Sequence, residues 1–345
     1  MSKTPTTDLE YDLKESSIAQ VRYKNPGSSK LLIASTKQIL TFEKYIKNLS
    51  NKSVFIFNKS SVQNVRIETN KLYTNGKVEF FILSLLSTNT AEVLIKTSSN
   101  LSPGDVVSTY IADVRIVDKN NSIYTVDFNT EVQLLIDEYG KVPLPPYIKD
   151  DVSKYEDYKN QFSDGGFSVA SSTAGLHFSL RMISDLIKNN HKVFYVNLDI
   201  NLGTFKQIDT SNVEDYKIHS EYYSMDESDF QEILSLKEDG YNIVTVGTTV
   251  LRTLETVATN STYKGLTNLF ITPGYKFKVS NTLITNFHAP RSSLLAIVQT
   301  IFGDNWKDLY SYAQRNHLKF LSFGDAVLFL SLIHISEPTR PRLIS

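Results

Sequence analysis

The sequence predicts an α/β fold in which a mostly parallel sheet domain is joined to a small all-β barrel. From residue 174 onward, runs with helical spacing alternate with short apolar runs, as in proteins whose parallel strands are connected by helices. Between residues 65 and 140, short β-rich runs are separated by turn signals, and no run of helical period interrupts them. A chain of 345 residues that is 41% hydrophobic is long enough for two such domains.

The alternating region begins with a helix over residues 174–190, in which leucine and isoleucine recur at helical spacing. Asp239-Gly240 closes the next helix, because glycine suits the left-handed conformation that often follows a helix. The elements predicted after the first helix are strand 193–198, helix 227–238, strand 242–246, helix 250–258, strand 282–287, helices 292–302 and 306–316, and strand 322–330.

The β-rich region contains six predicted strands, and its turns carry Asn75-Gly76, Ser102-Pro-Gly-Asp105 and Lys119-Asn-Asn121. Many short strands at close spacing favour a small closed barrel. Residues 141–165 contain three prolines and few long apolar runs, which indicates a linker. The six strands are Val65–Ile67, Lys71–Tyr73, Val78–Leu85, Ala91–Ile95, Val106–Val114 and Ile123–Phe128.

The composition excludes several kinds of site. The chain has no cysteine, so it has no disulfide, zinc-thiolate site, iron–sulfur cluster or cysteine nucleophile. The first residues have no apolar core typical of a signal peptide, and no run reaches the roughly 18 apolar residues of a membrane span. We therefore expect a cytoplasmic protein without membrane contact.

Charge is distributed unevenly, although the net charge is only −1. Residues 14–77 hold 12 Lys or Arg against 3 Asp or Glu, a local excess of +9 that leaves −10 for the rest of the chain. Such a basic block favours a polyanionic partner, and the alternative is a lysine-rich solvated surface. If the block binds a polyanion, the candidate contacts are Lys30, Lys37, Lys44, Lys47, Lys52 and Lys59.

Short polar and glycine-containing motifs follow one another from residue 143 onward. They are Pro143-Leu-Pro-Pro-Tyr-Ile148, Ser172-Thr-Ala-Gly-Leu-His-Phe178, Gly203-Thr-Phe205, His219-Ser-Glu221, Val246-Gly-Thr-Thr-Val-Leu-Arg252, Thr285-Asn-Phe-His-Ala-Pro290 and Phe323-Gly-Asp-Ala326. In this order and spacing they resemble the S-adenosylmethionine:tRNA ribosyltransferase-isomerases of queuosine biosynthesis. The resemblance extends from about Asp8 to Leu330, nearly the whole chain.

The resemblance implies a two-domain plan and a reaction. Residues 1–64 and 151–330 form the α/β catalytic domain, and residues 65–150 form the inserted barrel with its linker. The ribosyl part of S-adenosylmethionine is transferred to 7-aminomethyl-7-deazaguanine in tRNA and isomerised, giving epoxyqueuosine. S-adenosylmethionine is then a substrate, no cofactor or metal is expected, and the partners are S-adenosylmethionine and tRNA. We expect a monomer.

This chemistry needs proton transfer beside the sulfonium and groups that hold the methionine carboxylate and ammonium. Histidine exchanges protons near neutral pH, arginine is a forked donor, and amides at a helix N-terminus bind anions. Each residue also has a structural alternative, such as a satisfied core histidine, an ordinary helix cap or a core aromatic. The predicted catalytic residues are His288, His219 and Asp199. The predicted substrate-binding residues are His177, Thr204, Phe205, Glu221, Thr248, Thr249, Arg252 and Asn286.

The chain departs from the family pattern at several polar positions. Asp199 stands where the family carries a histidine, Ser61 where it carries an arginine, and Val250 where it carries a serine. The unperturbed pKa of aspartate, about 3.9, suits proton transfer at neutral pH poorly unless burial raises it. The alternatives are therefore a catalytically impaired RNA-binding paralogue of the same fold, or an enzyme that acts on a related nucleoside without tRNA.

The C-terminal 15 residues, 331–345, match nothing in the family. They are typical of translated adapter or vector sequence, and the alternative is a divergent native tail. We exclude them from the functional argument.

Overall fold

The structure is a computed structural model, and it describes residues 3–149, 155–201, 203 and 206–330. The predicted non-native tail, 331–345, lies outside the described residues. The α-helices within the described ranges are α1 (Phe42–Lys47), α2 (Val132–Tyr139), α3 (Leu180–Lys188), α4 (Glu227–Glu238), α5 (Thr248–Asn260), α6 (Ser293–Phe302) and α7 (Trp306–Arg315). In this part of the chain, no helix is long and apolar enough to cross a membrane.

The strands belong to two sheets. In chain order they are β1 (Lys30–Ile33), β2 (Ile39–Thr41), β3 (Ser53–Asn58), β4 (Arg66–Asn70), β5 (Lys77–Leu85), β6 (Thr90–Thr97), β7 (Val106–Ser108), β8 (Asp113–Asn120), β9 (Ile123–Phe128), β10 (Gly140–Lys141), β11 (Lys192–Leu198), β12 (Glu221–Ser224), β13 (Asn242–Val246), β14 (Lys264–Thr267), β15 (Thr282–Asn286) and β16 (Ala326–Leu330).

The larger sheet has, among the described residues, nine strands in the order β14-β12-β11-β3-β13-β15-β16-β1-β2. Four neighbouring pairs of the described strands are parallel: β11–β3, β3–β13, β13–β15 and β16–β1. The other four pairs among the described strands of this sheet are antiparallel. The α/β class is confirmed, but the sheet is mixed, so the prediction of a mostly parallel sheet is corrected. Two helices in succession, α6 and α7, separate β15 from β16. The chain therefore re-enters the sheet at the end where β15 finished, and β16 runs antiparallel to β15. A single crossover helix would instead give a parallel strand.

The central strands are buried on both faces. All six residues of β3 are buried, and its side chains alternate between two layers. Val54 and Ile56 pack in the core beneath α4 and α5, whereas Phe55 and Phe57 pack in the core beneath α1 and α3. Each such side chain stabilises the fold by about 1.5–3 kcal/mol. This double burial fixes the strand ends that form the site.

The second sheet is antiparallel and curled. Residues 66–141, all of them described, form it in the order β10-β4-β5-β6-β9-β8-β7. Beyond the ends of β4 and β7 the sheet's edges meet at a bridge between Lys71 and Thr109, where Leu72 N donates to Ser108 O at 2.9 Å. The predicted all-β unit is therefore present as a curled sheet whose edges touch at this corner.

Three details of the β-rich prediction were wrong. Lys71–Tyr73 forms a turn and not a strand. The predicted strand Val106–Val114 is broken into β7 and β8, because the Thr109 hydroxyl accepts from Ala112 N at 3.1 Å and donates to Ala112 O at 2.7 Å, which closes a turn. Helix α2 was not predicted. The domain boundaries at residues 64 and 150 stay predictions.

Candidate active site

A cavity of about 240 Å³ lies where β13 and β15 end at their carboxyl edge. Ligands bind at this edge in open α/β sheets. Five predicted site residues line it: Thr248, Thr249, Arg252, Asn286 and His288. A smaller cavity of about 20 Å³ beside it is lined by His219 and Glu221, and Arg252 borders both. The structure therefore brings together seven of the eleven predicted residues around two adjoining cavities.

The N-terminus of α5 opens beside the larger cavity. Gly247 precedes the helix at φ +99°, a conformation that favours glycine, and a Cβ there would lie 3.3 Å from Ser172 Oγ. Gly247 has no side chain that could cap the helix, so the amides of the first turn of α5 keep hydrogen-bonding capacity for another group. The hydroxyls of Ser172 and Thr249 lie 3.2 Å apart at this point. The arrangement suits a small anion.

Arg252 and Glu221 form a buried ion pair with one donor left over. Arg252 Nη1 donates to Glu221 Oε2, and Arg252 Nε donates to Leu269 O at 2.9 Å. Glu221 Oε1 accepts from Asn201 N at 3.0 Å. Arg252 Nη2 is buried and has no partner among the described residues. Because a buried donor is costly to leave unpaired, Nη2 is available to a ligand with an acceptor oxygen.

His288 is held at the cavity wall by three hydroxyl groups. Tyr11 Oη donates to His288 O at 2.5 Å, and His288 N donates to Tyr310 Oη at 3.2 Å. The Thr285 hydroxyl lies 3.0 Å from His288 Nε2. Burial lowers the pKa of His288 to about 3. The imidazole is therefore neutral at pH 7 and has a lone pair to accept a proton.

His177 does not line the larger cavity, and both of its ring nitrogens are engaged by protein groups. Ser29 Oγ donates to Pro26 O at 2.6 Å, so it accepts from His177 Nδ1, which lies 2.8 Å away. The other nitrogen, Nε2, accepts from Asn286 Nδ2 at 3.3 Å. Burial, with a smaller effect of the Arg22 charge, lowers the pKa of His177 to about 3. The neutral ring orients Asn286, and this arrangement favours the structural alternative for His177.

Asp199 lies outside the residues that line either cavity. Its Oδ1 accepts from Ser60 Oγ at 2.5 Å and from Phe167 N at 2.9 Å. These bonds tie the chain after β3 to the chain that returns from the curled sheet. The structure thus gives Asp199 a structural role, and its part in proton transfer stays a prediction.

The Gly203-Thr-Phe205 motif is only partly described. Thr204 and Phe205 lie outside the described residues. Gly203 packs against the exposed His219, and a Cβ at Gly203 would lie 2.5 Å from His219 Cδ2. In the described residues, no group of three or more His, Asp or Glu side chains is placed to hold a metal ion.

Comparison with known proteins assigns the chain to a family. A family model described as "Queuosine biosynthesis protein" matches residues 6–329. The chain belongs to this family. Similar proteins include the S-adenosylmethionine:tRNA ribosyltransferase-isomerases of Natranaerobius thermophilus, 36% identical over 338 residues, and Staphylococcus saprophyticus, 33% identical over 336 residues. Each alignment covers 93% of this chain and 98% of the relative.

A solved structure is similar over most of the chain. It is the crystal structure of S-adenosylmethionine tRNA ribosyltransferase from Thermotoga maritima, with 26% identity and a TM-score of 0.53. The match covers 94% of this chain and 100% of that chain. The family predicted from the motifs is confirmed, and the two-part α/β arrangement agrees with this structure.

The cavity of this family member also contains residues that the sequence did not indicate. Ser172 begins a motif and Ser171 directly precedes it, but neither hydroxyl was assigned a role. Lys206 is exposed at the cavity, and Tyr158 lies in a segment without any motif.

Asp325, in the last motif, is a buried structural acceptor for Tyr23 Oη, Lys30 N and Lys319 N.

The predicted lysine block does not form one surface. Lys59 follows β3 at the edge that carries the cavity, whereas Lys52 precedes β3 at the opposite edge. Lys37 lies in the turn after β1, also at the opposite edge, because Ile33 pairs with Leu328 and this turn continues beyond it. The block is therefore divided between two edges of the sheet.

Proposed function

We propose that this chain is an S-adenosylmethionine:tRNA ribosyltransferase-isomerase. It transfers and isomerises the ribosyl group of S-adenosylmethionine onto 7-aminomethyl-7-deazaguanine in tRNA and forms epoxyqueuosine. The observation that carries the proposal is one cavity that collects an open helix N-terminus, a buried arginine with a spare donor and a neutral histidine. Relatives of 33–36% identity with this enzyme name support it.

The Arg252–Glu221 pair is assigned to the amino-acid part of S-adenosylmethionine. The methionine carboxylate accepts from Arg252 Nη2 and from the first turn of α5, with the hydroxyls of Thr248 and Thr249 alongside. The carboxylate of Glu221 offers the opposite charge to the methionine ammonium. A zwitterion suits this site because the buried pair is itself neutral overall.

His288 is assigned to proton removal beside the sulfonium. Its neutral imidazole accepts a proton, and the hydroxyls of Tyr11 and Tyr310 fix its backbone. With a pKa of about 3 it is a weak base in the free protein. Arrival of the anionic tRNA raises that pKa toward neutrality, which makes proton removal dependent on tRNA. His219 borders the smaller cavity and stays a predicted catalytic group.

The remaining parts of the proposal concern organisation. The α/β unit of residues 1–64 and 151–330 carries the reaction, and the insert of residues 65–150 extends the tRNA contact. Monomeric state, cytoplasmic location and the lack of a cofactor are further predictions. No observation favours the catalytically impaired paralogue, since the departure at Asp199 is accommodated by hydrogen bonds outside the cavity.

An adenine-release assay tests the proposal. Purified protein, S-adenosylmethionine and tRNA with the precursor base should release adenine and methionine, whereas tRNA without that base should release neither. The His288→Asn variant should lose about 10²- to 10⁴-fold in kcat, the usual contribution of a general base. Tight tRNA binding without adenine release would support the non-catalytic paralogue instead.

A further inference from the structure

Two hydroxyl groups on residues that line the larger cavity are buried and have no hydrogen-bond partner in the described part of the chain. They are Tyr158 Oη and Ser171 Oγ, and the side chains are 0% and 7% exposed. Most buried polar side-chain atoms in proteins are hydrogen-bonded, so each exception needs a physical reason. Here the two exceptions belong to residues that line the same cavity.

The protein around Tyr158 does not satisfy its hydroxyl. The ring packs edge-on against Phe323, with ring centroids 5.9 Å apart, which fixes the direction of the phenol. The nearby Ser322 hydroxyl is paired with Tyr147 Oη at 2.8 Å. Burial raises the pKa of Tyr158, and interactions with the Ser322 hydroxyl and the Ser171 backbone act in the opposite direction. Neither of these contacts reaches hydrogen-bonding geometry at Tyr158 Oη. The phenol therefore stays protonated and can donate.

The position of Ser171 in the chain brings the Tyr158 and Ser171 hydroxyls near the proposed anion site. Its neighbour Ser172 contacts Thr249 at the start of α5, and both serines line the cavity. The ionic groups, Arg252 and Glu221, serve the amino-acid part of the substrate in the proposed function. Tyr158 and Ser171 carry no charge, and each can donate and accept. Their surroundings include the apolar side chains of Ala170, Ile200 and Leu321.

We propose that Tyr158 and Ser171 form a hydrogen-bonding subsite for the edge of a nucleobase. A flat base with ring nitrogens and an exocyclic amine matches two neutral hydroxyls in an apolar wall. Two bases fit this chemistry, the adenine of S-adenosylmethionine and the deazaguanine of tRNA. The subsite rests on the proposed function, and the experiment distinguishes the two bases.

The test uses Tyr158→Phe and Ser171→Ala, because an unpartnered hydroxyl has an unusual mutational signature. Removing it should leave the Tm of the free protein unchanged or raise it by about 2 °C, since an unsatisfied buried group is lost. The same change should raise one KM by about 10-fold with little change in kcat, since binding is lost equally in the ground and transition states. A hydroxyl with a structural role would lower Tm instead.

Two control variants match the test variants outside the cavity. Tyr223 is also a buried tyrosine, but its hydroxyl lies 2.8 Å from Thr262 Oγ1, so Tyr223→Phe should lower Tm and leave both KM values unchanged. Ser280 Oγ, like Ser171 Oγ, is buried with no partner among the residues that the structure describes, but Ser280 lies outside both cavities. Ser280→Ala should therefore preserve Tm and both KM values.

The two KM values identify the base that binds at the subsite. A raised KM for S-adenosylmethionine alone identifies adenine, and a raised KM for tRNA alone identifies the tRNA base. Unchanged KM values for both substrates, or a lowered Tm in both test variants, would overturn the subsite. If the wild type releases no adenine, the proposed function fails on its own. Equilibrium dialysis of adenosine against wild type and the Tyr158→Phe variant then tests the subsite, and equal affinity would overturn it.

Discussion

Arg252 and Glu255 lie one turn apart on α5, and both are buried charged residues, but their hydrogen bonding differs. Glu255 accepts four hydrogen bonds, from Lys278 N, Val279 N, Ser280 N and Tyr275 Oη, at 2.8–3.2 Å. Arg252 lines the cavity, and its Nη2 has no partner in the described ranges of the chain. The difference teaches that burial alone does not mark a functional residue. A buried polar group that lines a cavity and lacks a hydrogen-bond partner indicates a functional residue. A buried polar group whose hydrogen bonds are all made within the protein indicates a structural one.

Other polar residues divide in the same way. His177 and Asp325 are buried, and their hydrogen bonds fix neighbouring segments of the chain. Tyr158 and Ser171 are buried at the cavity with hydroxyls that bind nothing in the described part of the chain. Substitutions in the two groups should therefore have different effects on stability and on catalysis.

The largest expected effect is a loss of stability in acid. Burial lowers the pKa of both His177 and His288 to about 3, whereas the unfolded chain keeps a histidine pKa of about 6.5. Between these values the unfolded state binds more protons than the folded state. The free energy of unfolding therefore falls as pH falls, by up to about 1.4 kcal/mol per pH unit for each histidine. Urea denaturation from about pH 7 to about pH 4.5 measures the slope.

A variant separates the two histidines. His177→Gln removes one of the titrating groups, so its stability should depend on pH with a clearly smaller slope over the same range. An identical slope in variant and wild type would show that His177 is not a buried neutral residue. His177 could then no longer be counted among the buried residues with a structural role.

The next largest effect is expected for Arg252→Lys. Lysine keeps the positive charge opposite Glu221 but removes the free Nη2 donor. The value of kcat/KM for S-adenosylmethionine should fall about 100-fold, about 2.7 kcal/mol, with a smaller change in stability. Arg66→Lys is the control, because Arg66 is paired with Glu68 and Glu79 on the curled sheet. Lower stability with preserved kcat/KM would place Arg252 in the same structural class as Glu255.

The converse result is expected for Glu255→Gln. The amide nitrogen of glutamine faces backbone N–H donors that need an acceptor, so the free energy of unfolding should fall by about 2 kcal/mol. Catalysis should change by no more than about two-fold, because Glu255 lies outside the cavity. Glu238→Gln, at the exposed end of α4, controls for the lost charge. A large loss of kcat/KM in a stably folded Glu255→Gln protein would contradict the division.

The fold could be predicted where the pattern is long and local. Helix α4 was predicted with its observed bounds, and β13 and β15 to within one residue, because periodicity and apolar runs are visible along the chain. Helix 174–190 was predicted too long. Thr173–His177 is a 3-10 turn, and Ser179 caps the shorter α3 by accepting from Met182 N. The N-terminal strands β1, β2 and β3 were not predicted. Strands β1 and β2 have only four and three residues, whereas β3 is a six-residue run whose apolar residues were not recognised as a strand.

The site could be predicted only where motif residues follow a strand end. Thr248, Arg252 and His288 follow β13 and β15, so their place at one edge could be inferred from the sequence. The roles of His177 and Asp199 could not, because their partners Ser29 and Ser60 are 148 and 139 residues away in the chain. No local pattern distinguishes a satisfied polar group from an unsatisfied one. Tyr158 was missed for the same reason.

The smallest expected effect concerns single lysines at the two edges of the larger sheet. Lys206 is exposed at the cavity, whereas Lys52 lies at the opposite edge with its ammonium 5.5 Å above the Tyr241 ring. A lysine that contacts a tRNA phosphate releases counterions on binding, so Lys206→Ala should weaken tRNA binding several-fold and reduce the log–log salt slope by about one. Lys52→Ala should change neither quantity. Filter binding of tRNA across a salt series measures both. If Lys52→Ala reduces the slope and Lys206→Ala does not, tRNA binds at the edge opposite the cavity. The target base of the tRNA would then be far from Arg252 and His288. The unpaired hydrogen-bond donors at the cavity would in that case bind a ligand that does not react with tRNA.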